Sequence, residues 1–154
     1  MKKIIIDTNL LVLLVVGATQ KELINKHKRT SIFTQEDFQL LLLLLNEYKE
    51  VVVTPSILTE ASNLLAQIGE PDKSRIRQVL SILTGTYTEI YTPSSEVAKS
   101  IHFVRLGLTD CGILELPKEL PLITVDLDLY LAAAETGYNA TNFNHLRAEY
   151  LFPS

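Results

Sequence analysis

The sequence predicts an α/β fold, a three-layer sandwich whose mostly parallel central sheet is flanked by helices. Short apolar runs at 3–6, 51–53, about 87–91 and 121–125 alternate with longer helical patterns, the order that βαβ units produce. Ile4 to Ile6 and Val51 to Val53 are apolar at consecutive positions, as strands covered by helices on both faces must be. No internal repeat, low-complexity tract or Pro/Gly/Ser-rich linker divides the 154 residues, so a single domain is expected over 1–154.

The elements follow in order. The first strand ends in Asp7 and leads into a second apolar run, Leu10 to Ala18. The stretch 19–34 reads as a short helix followed by a mobile basic loop. Thr34 is an N-cap for a helix over 35–48, with Asp37 three residues on as the reciprocal half of a capping box. Pro55 takes the first position of a helix over 55–68 after Thr54. Its apolar stripe is Ile57, Leu58, Ala61, Leu64, Leu65 and Ile68. Pro71 opens a helix to about Leu83, stopped at Gly85. Ser94 or Ser95 opens another that ends near Gly107, and a helix over 127–136 is closed by Gly137.

Composition narrows the function. A hydrophobic fraction of 47% with 21% charged residues describes a globular chain rather than a disordered one. The longest apolar runs are too short to span a bilayer, so no membrane association is expected. Asp7 and Asn9 interrupt the N-terminal run, which speaks against a signal peptide. The single cysteine, Cys111, excludes an internal disulfide and a cysteine-rich zinc site. A cytoplasmic protein is expected. The net charge of −4 counts against coating a nucleic acid but not against touching one at a single place.

The carboxylates carry the functional argument. In open α/β sheets, ligands bind at the carboxyl ends of the strands. Asp7 ends the first strand, Asp126 ends the run Pro121 to Val125, and Asp128 follows two residues later. Glu60 lies in the second turn of the helix after Val51–Thr54, and Asp110 opens the segment TDCGILEL. Taken singly, Asp7 and Asp126 read as helix caps, Glu60 as a solvated residue, and Asp110 and Asp128 as first-turn acids. Four segments should bring their acids to one sheet edge, with no Lys or Arg close in sequence to neutralise them. Crowded carboxylates repel unless a cation sits among them, and oxygen ligands suit Mg²⁺ or Mn²⁺. An Asp-x-Asp phosphatase motif is absent from the first strand, because Asn9 stands where the second acid belongs.

The segments IIIDTNLL (4–11), TPSILTEASNLL (54–65), GLTDCGIL (107–114) and ITVDLDLYLAAAETGYNATNF (123–143) resemble, in that order, the PIN-domain nuclease family, including toxins of toxin–antitoxin modules. The resemblance implies a metal-dependent endoribonuclease with Asp7, Glu60, Asp110 and Asp126 as catalytic metal ligands and Asp128 as an outer one. It implies that Asn9 and Thr124 orient the ligating carboxylates, although Asn9 reads equally well as a helix N-cap. RNA is then the substrate, and a cognate antitoxin is the partner where the chain is a toxin. A catalytically silent RNA- or protein-binding module is the alternative. The run NKHKR (25–29) is either a phosphate contact through Lys26, Lys28 and Arg29 at the rim or a solvated loop. The leucine-rich helix around 38–45 carries more apolar surface than one core-facing side needs, so a homodimer is expected. Removing the Asp7 charge as Asp7→Asn is expected to relieve repulsion and slightly stabilise the metal-free chain.

Overall fold

A computed structural model describes residues 2–151. Its five strands are β1 (Lys3–Ile6), β2 (Glu50–Val53), β3 (Thr88–Glu89), β4 (Leu122–Thr124) and β5 (Ala140–Asn142). All pair in parallel, in the order β3-β2-β1-β4-β5. The register sets Ile4 opposite Val51 and Ile5 opposite both Val52 and Leu122. The order reverses at β1, where the chain turns from the β2 side to the β4 side. Right-handed crossovers then put the connections before and after that reversal on opposite faces, which gives the three layers.

The helices between β1 and β3 are α1 (Thr8–Thr19), α2 (Leu23–Lys26), α3 (Gln35–Leu45), α4 (Pro55–Leu65) and α5 (Asp72–Thr84). Those after β3 are α6 (Ser94–Val97), α7 (Phe103–Ile113), α8 (Leu127–Glu135) and α9 (Phe143–Leu151). Among the described residues, no helix is long and apolar enough to cross a membrane.

The centre of the core is α1. Leu10 to Gly17 are all buried, because α2, α3, α4 and α5 pack around this helix. That explains an apolar run with no polar face. Gly17 lets α3 approach: a methyl added there would lie only 2.3 Å from a carbon of the Phe38 ring. Gly17→Ala is therefore expected to cost about 1–3 kcal/mol through overpacking. This outweighs the roughly 0.5–1 kcal/mol that alanine gains over glycine in a helix. A lowered melting temperature checks it.

Several expectations change. The predicted helix over 94–107 is two helices, α6 and α7, separated by turns. Gly107, at φ 82° and ψ −179°, breaks the helical geometry as expected, and a second helical segment, carrying Asp110, follows it within α7. The stretch after α2 is not a loose loop. His27 and Thr30 are fully buried. The His27 ring accepts from the Arg29 backbone N–H at 3.0 Å, so its other nitrogen donates to the Leu65 carbonyl at 3.0 Å. Thr30 Oγ1 donates to the Ile24 carbonyl at 2.7 Å. The capping box at Thr34 is complete, and Asp37 also accepts from Arg147 of α9 at 2.9 Å.

Candidate active site at the carboxyl edge of the sheet

Asp7 follows the last residue of β1 and caps α1, accepting from the Leu10 N–H through Oδ1 at 2.9 Å. Its Oδ2 accepts from the Thr124 hydroxyl and from the Val125 N–H at 2.9 Å. Thr124 ends β4, the strand next to β1, so these bonds cross the point where the sheet reverses direction. Thr124 also accepts from the Asp126 N–H at 2.9 Å, and Asp126 caps α8 through the Leu129 N–H at 2.9 Å. One threonine thus ties together two acids from adjacent strand ends. The cap reading is correct for both acids, and it coexists with their meeting.

The other two acids come from the helices. Glu60 is exposed on α4 and accepts from the Thr109 hydroxyl of α7 at 2.8 Å. Thr109 precedes Asp110, so this bond fastens the Glu60 side of the site to the Asp110 side. Burial, and then the charges of Asp126, Asp7 and Glu60, push the Asp110 carboxyl up to about 7. Asp7 is only 3% exposed, and burial raises its pKa as well. Its three hydrogen bonds pull the other way, and the charge of Asp126 adds to the rise. The four acids chosen from sequence therefore lie within electrostatic reach of one another.

Not every predicted residue joins them. Asp128 is exposed in the first turn of α8, and it is not among the charges that raise Asp110. Asn9 does not cap α1, since Asp7 does; it is exposed in the first turn. The basic run is not brought to the cluster either. The 12 residues of α1 carry the chain roughly 18 Å away from Asp7 before α2 begins. There Lys26 pairs with Asp72 at 2.8 Å and Arg29 donates to Gln67 at 2.7 Å, while Lys28 is exposed. His27 docks on the last residue of α4, at the far end from Pro55. Sequence reasoning missed Thr109, for which a hydroxyl beside a candidate ligand was the available signal.

The fit to a cation is mixed. Among the described residues, no three Asp, Glu, His or Cys side chains form a ready-made metal cage. The donor chemistry nonetheless suits a hard divalent ion: four carboxylates, one of them pushed to about 7 by burial and then by the others. Asp7 Oδ1 accepts one hydrogen bond and keeps a free lone pair, whereas Oδ2 already accepts two. The hydroxyl of Thr8, next to Asp7, is buried without a partner among the described residues. No protein-family model matches the chain, and no curated protein matches it.

Proposed function

We propose that the chain is a Mg²⁺- or Mn²⁺-dependent endoribonuclease of PIN type, working at Asp7, Glu60, Asp110 and Asp126. The observation that carries this reading is that acids from four segments are tied together, Asp7 to Asp126 through Thr124 and Glu60 to Thr109, the neighbour of Asp110. Burial and the other three acids accordingly raise the Asp110 carboxyl to about 7. Structural acids are normally paired with a base; a group of them turned on one another at a switch point is what cation binding requires.

When bound, the divalent ion supplies a Lewis acid that lowers the pKa of a water and offsets charge on a phosphodiester. Asp7, Asp110 and Asp126 would hold it, and Glu60, kept in place by Thr109, would orient or accept a proton from the attacking water. Thr124 fixes Asp7 in one rotamer, as outer partners of ligating carboxylates do. A mixed pool of single-stranded and structured RNA should be cleaved with Mg²⁺ or Mn²⁺ and left intact with EDTA. Cleavage that survives EDTA would sink the metal-dependent reading.

The competing reading, a catalytically silent binding module, draws on Asp7 Oδ2 being already saturated by protein donors. Calorimetric Mg²⁺ or Mn²⁺ titration decides between the two, since a silent module of this kind takes up no ion. A toxin-like member of the family would also have a cognate antitoxin and work in the cytoplasm. A homodimer over α3 remains part of the proposal in reduced form. Leu40 and Leu41 are buried, while Leu42 and Leu43 are 38% and 56% exposed. Light scattering at high micromolar concentration should give twice the 17.3 kDa chain mass, and a monomer there rejects the dimer.

A further inference from the structure

We propose that a groove beside the acidic cluster is a subsite for one ribonucleoside of a single-stranded RNA, next to the phosphodiester to be cut. This rests on the nuclease reading. Two hollows, of about 250 and 400 Å³, lie along the carboxyl ends of β2 and β3 and share Pro55 and Ser56 as a common wall. The larger is lined by Glu60 and Thr109, so the groove opens onto the cluster. Together they fall within the roughly 300–1,000 Å³ of small-ligand sites.

The lining selects the occupant. Pro93, Val97 and Leu108 give the smaller hollow an apolar wall, while Ser56, Thr92 and Ser94 supply hydroxyls. The Thr54 hydroxyl is already engaged, accepting from the Ile57 N–H at 3.2 Å. Among the described residues, neither hollow is lined by a Lys or Arg. A phosphate therefore finds no counter-charge here, whereas the uncharged base and the ribose hydroxyls find apolar contact and hydrogen-bonding groups. Ribose hydroxyls and splayed single-stranded bases are what RNA-reading sites recognise. The charged phosphate is left to the acidic end, where a cation would neutralise it.

Gly112 is the second observation. It is a buried residue of α7 lining the smaller hollow, yet a Cβ built on it meets nothing within 4 Å. Glycine weakens a helix relative to alanine, and neither packing nor a positive φ calls for it at this position. What the missing side chain preserves is the open floor of the groove.

Uncharged adenosine, cytidine, guanosine and uridine are titrated into the metal-free protein, followed by amide chemical shifts, with inorganic phosphate as a control. At least one ribonucleoside should move the Ser56, Ser94 and Gly112 amides saturably. Gly112→Leu, which fills the floor, and Ser94→Leu, at an exposed position, should each weaken that binding at least about tenfold. The proposal is overturned if no ribonucleoside moves those amides, if both leucine variants bind like wild type, or if phosphate moves them equally. Mg²⁺ calorimetry on the same samples separates the two readings. Ion binding without nucleoside binding rejects the groove and keeps the nuclease; nucleoside binding without ion binding rejects the nuclease and, with it, the groove as a cleavage subsite.

Discussion

Asp110→Asn should make the metal-free protein more stable at pH 8 and leave it unchanged near pH 4. The folded state raises this carboxyl from an ordinary 3.8 to about 7, through burial and the charges of Asp126, Asp7 and Glu60. An acid whose pKa is raised by folding favours the folded state while protonated. That contribution is whole below the unfolded pKa and is lost as pH rises through the folded one, here between about 4 and 7. At full value, about 1.36 kcal/mol per pKa unit makes the loss roughly 4 kcal/mol. Asp110 is only partly buried, and solvent screening brings the expected gain of the variant to about 2 kcal/mol. That corresponds to roughly 4–8 °C in a chain of this length. Among the described residues, Asp110 makes no side-chain hydrogen bond that asparagine would lose. Mg²⁺ should invert the order, stabilising wild type above pH 7 and the variant hardly at all. Equal melting temperatures for the two proteins at pH 8 without metal would mean that neither burial nor the neighbouring acids raise the Asp110 carboxyl in the folded state.

What the sequence made legible is what local chemistry determines. Thr54, Pro55 and the spaced apolar residues after them mark α4 without tertiary help, and Thr34 with Asp37 does the same for α3. The consecutive apolar residues of β1 and β2 betray coverage on both faces. The errors occur where tertiary context decides. β5 is three residues, Ala140–Asn142, with no β pattern of their own; it exists because β4 offers it a partner. The basic run reads equally as a phosphate contact and as a solvated loop, and only the length of α1, which separates it from Asp7, and the Lys26–Asp72 pair bear on that choice. Gly107 reads as a stop and does break the helix, but the sequence does not show that a second helical segment follows it directly and presents Thr109 and Asp110. Asp7 and Asp126 were legible because each follows a strand and caps the next helix, where a chain can hold a carboxylate rigidly; Glu60, in the second turn of α4, was legible only through the helix that carries it. Thr109 was not, because its partner Glu60 lies 49 residues away.

Asp7→Asn should abolish RNA cleavage, leaving no more than the EDTA control shows. Loss of outer partners alone costs roughly 10–100-fold in metal affinity or activity, and loss of Asp7, a ligand in the proposed site, should cost more than that. The stability effect is expected to differ from that of Asp110→Asn, and it reverses the expectation from sequence alone. Both Asp7 oxygens accept hydrogen bonds, from Leu10 N–H on one side and from Thr124 and Val125 N–H on the other. An asparagine amide has one acceptor oxygen, so its NH₂ group must face either the Leu10 or the Val125 N–H. A buried donor left facing another donor costs about 1–3 kcal/mol. Against this stands the relief of burying no charge, since burial raises the Asp7 pKa despite those bonds. The metal-free Asp7→Asn protein should therefore melt at or below wild type at pH 8, while Asp110→Asn melts above it. Thermal melts of the two variants side by side measure the difference, and the same preparations assayed on RNA test the chemistry. An Asp7→Asn protein that is folded, binds Mg²⁺ like wild type and still cuts RNA would remove Asp7 from the proposed site.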